Sequence, residues 1–554
     1  MKVDKIIKNA KIFTSDRKKP IATALAVRNG KFVYVGDGTG ISAYEGEVTD
    51  LSGKFIMPGI IDSHVHVAMS ILSEHLEAST PILCSNKKEA LDFMAETVRN
   101  NPGQRRYRFV LERESLNDDD ITKEDLDKIC PENELIIMEE EAHSAWVNSR
   151  LLDRHNVTDN TPDPVPGLSY FVRRDGHVTG SIFEFPLMRF LFDDIESLRE
   201  EQIDAGITRW IDFALNNGVI GVFDAGTPEG NRFNEQVYTH LRDMDLQGRL
   251  PIYISGCYVI SQPEQIQDAI QELRRMKTKF DTEHLKVHTL KIFMDGTLKI
   301  ETAALVTPYE DTGAKGVTSF SRHQISELLK QLNDEGLDLH LHTVGEAASR
   351  TVLDGVEDAR NELKDDYHVK VTCAHLEIQD EADLERFAKL GVVANYTPSW
   401  HAGNIGGNPY RTWCELLGEK RALSMYRCKT LWNTGALVTW SSDEVSFNDF
   451  TRWSPYLCME VGMTRRISEK TQAYEWDITD EAFPSDSEKM NIEEMILGYT
   501  INGAKQLGID AHKGSIEVGK DADFLVFNND LLSAEHEGFS HNKPAEVYLG
   551  GKKI

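Results

Sequence analysis

The chain is 554 residues long and carries 61 basic against 90 acidic side chains, a formal charge of −29. At 40% hydrophobic and 27% charged it has the make-up of an ordinary folded protein, and its length calls for one large domain with accessory units. So negative a surface argues against nucleic acid held by general electrostatics.

The N-terminal stretch reads as short strands separated by turn residues: Lys5–Ile7, Ala10–Phe13, Ala24–Val27, and Lys31–Val35 ahead of Gly36-Asp37-Gly38. It has no unbroken apolar run of the kind a signal peptide needs. The middle alternates apolar strands with amphipathic helices. The strand candidates are Phe55–His66, Ile220–Gly226, Ile252–Val259, Thr289–Gly296, Leu337–Thr343, Val369–Leu376, Val392–Pro398 and Ala436–Asp443. Helical runs such as Ser326–Glu335 and Asp380–Leu390 lie between them. This alternation predicts a parallel α/β sheet, and eight strands predict a closed (β/α)8 TIM barrel. The segment from about 75 to 200 breaks the repeat; its acidic runs and its own strand, Glu134–Met138, mark an inserted α/β subdomain. The C-terminus returns to short strands at Ala522–Phe527 and Glu546–Gly551, so the two ends are expected to pair in one small sheet module.

Seven scattered cysteines (84, 130, 257, 373, 414, 428 and 458) with no CxxC pair read as reduced thiols, and no window approaches eighteen apolar residues. The expectation is therefore a cytoplasmic protein, acting on a small-molecule substrate away from membranes and nucleic acid, with a homo-oligomer as the common state of such large chains.

His64 and His66 form His-x-His at the end of the first predicted barrel strand, where alternate residues point the same way. His342 closes the fifth strand, His375 the sixth and Asp443 the eighth; Lys291 sits in the fourth. In a parallel barrel the C-terminal strand ends converge on one face. Four histidines and an aspartate there suit zinc or a similar divalent ion. His340 shares a strand face with His342 but lies deeper, and is read as structural. Trp400, after the seventh strand, is a candidate pocket residue. Asp295, in the loop after Lys291, is a candidate to support the site through a hydrogen bond.

Five motifs, HVH (64–66), KIFMDG (291–296), HTVGEA (342–347), AHLE (374–377) and SSDE (441–444), stand in the order seen in the metal-dependent amidohydrolase superfamily. The chain resembles most the branch containing N-substituted formamide deformylase. HSAWVNSRLL (143–152), RDGHVTG (174–180), FDAGT (223–227), YTINGAKQLG (499–508) and KGSIEVGKDADFLVF (513–527) extend the resemblance over nearly the whole chain. The resemblance implies a distorted barrel (55–504) with the inserted subdomain at 75–200, flanked by a β-sandwich built from 1–54 and 505–554. It implies hydrolysis of an amide, N-substituted formamide or cyclic amide by a metal-activated hydroxide. His64, His66 and Asp443 would hold one ion, and His342 and His375 another. A carboxylated Lys291 would bridge the two ions, and Asp443 would shuttle protons. His143 and His177, both within motifs of the resemblance, would face substrate. Three departures fall beside the expected pocket: Glu346 stands where the branch usually has Asp, Ala374 where it has Glu, and Glu444-Val445 where it has a small residue and Pro. A deaminase with a mononuclear site is the alternative, with Glu346 as its acid.

Overall fold

The computed structural model describes residues 1–75, 80–111, 113–116, 120–139, 143–192, 198–227, 231–402, 409–446, 453–466 and 482–554. Eight parallel strands in chain order form its centre: Ile60–Val65, Val219–Asp224, Tyr253–Ile260, Leu285–Phe293, Asp338–Thr343, Val371–His375, Val393–Tyr396 and Val438–Trp440. Each overlaps one of the predicted runs. The first and eighth strands are joined at the C-terminal lip, where the Asp443 N–H donates to the His64 carbonyl at 3.0 Å. There too the His66 N–H donates to the Glu444 carbonyl at 2.9 Å.

The strands are apolar along their length because helices cover the outside of the sheet and side chains fill the inside. Val219–Asp224, for instance, is buried at every position. The helix Arg322–Glu335 starts where the Ser321 hydroxyl accepts from the Gln324 N–H, and stops at Gly336 in the left-handed region. Its Ile325, Leu328, Leu329 and Leu332 are buried at helical spacing in the main core.

Phe55–His66, predicted as one strand, is two. Phe55–Pro58 pairs with Lys11–Phe13 and Phe524–Phe527 in a terminal sheet, whereas Ile60–Val65 pairs with Val219–Asp224 in the barrel. The chain changes sheet at Gly59, where a Cβ would stand 2.6 Å from the Ile220 side chain, so a glycine makes the crossing possible.

The termini build two sheets. One orders Lys31–Gly36, Ala24–Arg28, Lys2–Lys8 and Glu45–Asp50. The other orders Lys552–Lys553, Glu546–Leu549, Phe524–Phe527, Phe55–Pro58, Lys11–Phe13 and Ile21–Ala22. Ile7, Leu25 and Phe32 of the first share an apolar core with Ile12, Ile56 and Phe524 of the second, which makes the pair a sandwich.

Between the first two barrel strands lies a six-stranded mixed sheet: Phe171–Arg174, His177–Phe183, Ser144–Val147, Glu134–Glu139, Arg106–Leu111 and Thr80–Ile82. Only Glu134–Met138 was predicted there, since the other strands either span three or four residues or mix apolar with charged and polar side chains. All seven cysteines are free thiols. Among the described residues no helix is long and apolar enough to cross a membrane.

Candidate metal centre

The strand ends bring the predicted ligands together. The Nε2 atoms of His64 and His66 lie 3.4 and 3.2 Å from Asp443 Oδ1, and His375 Nδ1 lies 3.8 Å from Asp443 Oδ2. One ligand atom from each of His64, His66 and Asp443 falls within 4.8 Å of the others. The His342 ring stands 4.5 Å from that of His375, between centroids. Lys291 is fully buried, with its Nζ 3.5 Å from His64 Nε2.

The tautomers follow from the partners on the far side of each ring. His66 Nδ1 is 2.6 Å from the Gly226 carbonyl, which can only accept, so this nitrogen carries the proton and Nε2 presents a lone pair. His342 Nε2 likewise donates to the Gly296 carbonyl at 3.1 Å and leaves Nδ1 as the ligand atom. His64 Nδ1 meets a third imidazole, His340 Nε2, at 3.0 Å. Burial holds His64, His340, His342 and His375 well below the usual histidine range, so these rings are neutral near pH 7.

The backbone around the site is strained. His375, Leu376 and Asp443 take φ values of 77°, 48° and 53°, a left-handed conformation uncommon away from glycine. Second-layer carboxylates fix it. Asp224 accepts from the N–H groups of Val67 and Gly226 and from the Tyr238 hydroxyl, which anchors the carbonyl under His66. Asp62 accepts from the Ser442 N–H at 3.1 Å, beside Asp443; burial pushes its pKa up to about 7.

The remaining predicted residues divide. Trp400 stacks on His375, with centroids 5.2 Å apart and planes 11° from parallel. His143 lies between Phe185 and His342, at 4.6 and 5.4 Å, and its Nδ1 donates to Glu184 at 2.9 Å. Glu184 was not foreseen: it lies 41 residues from its partner and in no motif that marks an acid. Asp295 accepts from the N–H groups of Ala304, Val344 and Gly345, so it pins the loops after the fourth and fifth strands. Burial pushes its pKa up to about 7 against those three donors. His177, expected to face substrate, has a side chain that is 75% exposed and pairs with Asp159 at 2.7 Å, at the turn between the insert's outer strands.

Among the described residues, the buried side-chain atoms without a hydrogen-bonding partner include His375 Nδ1 and Asp443 Oδ1. Unsatisfied donors and acceptors this deep are costly. Neutral imidazoles turned on one carboxylate are a donor set that a divalent ion such as zinc fits.

The family profile described as "Amidohydrolase family" matches residues 47–554. The N-substituted formamide deformylase of Arthrobacter pascens is 27% identical over 99% of this chain and 97% of its own. The exoenzymes regulatory protein AepA of Pectobacterium carotovorum subsp. carotovorum is 25% identical over 71% of this chain and 85% of its own. Among solved structures, an uncharacterized metal-dependent hydrolase from Pyrococcus horikoshii OT3 superposes with a TM-score of 0.67 at 21% identity, covering 96% of this chain and 99% of that one.

Proposed function

The chain belongs to the amidohydrolase family, and on that footing we propose that it hydrolyses a non-peptide C–N bond in an amide, N-substituted formamide or cyclic amide. The observation that carries this reading is the convergence of His64, His66 and His375 on the Asp443 carboxylate, with Lys291 buried beside them.

His64, His66 and Asp443 would hold one zinc-like ion, and His342 with His375 a second. Lys291 would lie between them as a carbamate. Burial pulls its ammonium down to about 8, which raises the fraction of free amine able to add carbon dioxide. When bound, the metal supplies Lewis acidity that acidifies water and polarises a carbonyl oxygen. The rest falls to the chain. Asp443 takes the proton of the attacking water and returns it to the leaving nitrogen as the C–N bond breaks, giving an acid and an amine. His143, held through Nδ1 by Glu184, turns its other edge toward the cluster and orients the substrate carbonyl. Trp400 covers His375 and limits water. Free thiols throughout suit a reducing compartment, and we assign the cytosol.

The deaminase alternative asks for an acid beside His342. Glu346 is buried, with its Oε1 accepting from the Thr307 N–H at 3.4 Å and its Oε2 without a hydrogen-bonding partner, so an acid is in place; amide hydrolysis is the reading retained on Lys291, buried beside His64. The AepA relative bears a regulatory name, yet every ligand is present here. Elemental analysis of protein purified without chelator tests the reading. About two ions per chain supports the bridged site, and about one removes Lys291 from it. None, with no uptake of added zinc, overturns the proposal.

A further inference from the structure

His340 lies one pair of residues below the ligand His342, beside Lys291 across the strand pair, and is 2% exposed. A histidine this deep in a barrel has an inexpensive substitute in any aliphatic residue, unless its nitrogens are used. Here one is. His340 Nε2 lies 3.0 Å from His64 Nδ1, with the two rings at 71° and centroids 4.8 Å apart. Phe223 stacks on the other side of His340 at 4.3 Å and 17°, which fixes its plane.

The partners of the His66 and His342 rings are carbonyls, which can only accept. His66 and His342 are therefore each locked in one tautomer. The partner of His64 is an imidazole nitrogen, able to donate or accept according to where its single proton sits. If His340 Nε2 is unprotonated, it accepts from His64 Nδ1–H and His64 Nε2 turns a lone pair toward Asp443. If His340 Nε2 carries the proton, His64 must accept at Nδ1 and carry its own proton on Nε2, where it cannot bind a cation.

We propose that His340 is a positioning residue for the metal ligand His64: it accepts the His64 Nδ1 proton and so sets the tautomer in which Nε2 is free to bind metal. This rests on the metal-dependent reading above. It assigns a role to a side chain that strand periodicity alone marks as core, and it predicts that an acceptor, rather than a histidine as such, is what the position requires. The hydrogen-bonding partners of ligand histidines typically contribute about 10–100-fold in metal affinity.

The test uses full-length apoprotein, prepared with a chelator, in three forms: wild type, His340→Leu and His340→Gln. Leucine keeps much of the volume without an acceptor; the Gln Oε1 can stand near the place of His Nε2. Zinc affinity is measured by competition with a chromophoric chelator, and the visible spectrum of the Co²⁺ form reports the ligand field. Circular dichroism and thermal melts of the apo forms establish folding. The expected result is affinity reduced about 10–100-fold in His340→Leu with an altered Co²⁺ spectrum, and recovery to within a few-fold of wild type in His340→Gln. Wild-type affinity and spectrum in a folded His340→Leu overturn the inference and leave the hydrolase reading intact. Equal losses in both variants overturn it too, by showing that packing rather than an acceptor is needed. If Leu fails to fold, the Gln variant decides alone: wild-type-like binding supports the inference, and loss overturns it. No metal uptake by wild type overturns both readings.

Discussion

The Asp443 N–H donates to the His64 carbonyl at 3.0 Å, so the residues that close the barrel are also the pair whose side chains face each other across the candidate metal site. Closure and ligand geometry are thus one structural event. Asp443 holds this position at a φ of 53°. Asn tolerates the left-handed region as well as Asp does, so Asp443→Asn keeps the backbone and one oxygen toward His64 and His66 while losing the base. The expected outcome is a folded protein that retains most of its metal, with kcat reduced by about 10²–10⁴-fold. Steady-state kinetics on a screened amide, alongside metal analysis, check it; wild-type-like turnover removes Asp443 from proton transfer.

Glu184 holds His143 with one oxygen and accepts from the Thr302 hydroxyl with the other. Glu184→Gln replaces an oxygen by an NH2 group that cannot accept from His143 or Thr302. A charge-assisted hydrogen bond of this kind contributes roughly 1.5–3 kcal/mol, so about a 10–100-fold loss in kcat/KM is expected. Metal content should be unchanged, because Glu184 touches no ligand among its described partners. Loss of metal instead would make the pair part of the metal shell.

How far these residues could be read from the chain depended on the kind of signal each one carries. The convergence of His64, His66, His342, His375 and Asp443 was legible because a parallel barrel gathers its C-terminal ends whatever the loops do, whereas their roles as ligands rest on the resemblance. The change of sheet at Gly59 was not, because the residues on both sides of Pro58-Gly59, from Phe55 to Ile61, are apolar alike while the chain passes from one sheet to the other. Glu184 and Asp224 work through contacts set by the packing of the insert and of loops, which leave no periodicity. His177 shows the reverse: a motif match places a residue in a loop, and only the fold says which way the loop faces.

His177 gives a prediction of no effect. Its ring is exposed and its ion pair with Asp159 lies in water, where such pairs contribute little. His177→Ala is expected to change kcat/KM by less than about twofold, within the range of surface substitutions distant from a site. A tenfold or larger rise in KM would bring the His177 turn back to the substrate.

Gly59 marks the crossing from sandwich to barrel, and a Cβ there would stand 2.6–2.7 Å from three atoms of the Ile220 side chain. Ile220 is itself buried at the second barrel strand, so it has little room to retreat. Gly59→Ala is expected to cost about 1–3 kcal/mol through overpacking, read as a lower melting temperature in a differential scan. Ile220→Val in the same chain removes one methyl from the clash and should return part of the loss, a coupling that distant, independent sites do not show. A melting temperature unchanged by Gly59→Ala would mean that the crossing adjusts freely.

Removing the metal acts on stability and chemistry together. A ligand that binds only the folded chain stabilises it by RT ln(1 + [L]/Kd), about 4 kcal/mol at a thousandfold excess over Kd. Chelation should therefore abolish turnover and lower the melting temperature together, leaving His375 Nδ1 and Asp443 Oδ1 as buried groups without partners. Adding zinc with bicarbonate should restore both, and zinc in carbon-dioxide-free buffer should restore less activity if Lys291 works as its carbamate. Equal recovery with and without bicarbonate would confine Lys291 to an unmodified side chain beside His64 and leave a site built from histidines and Asp443.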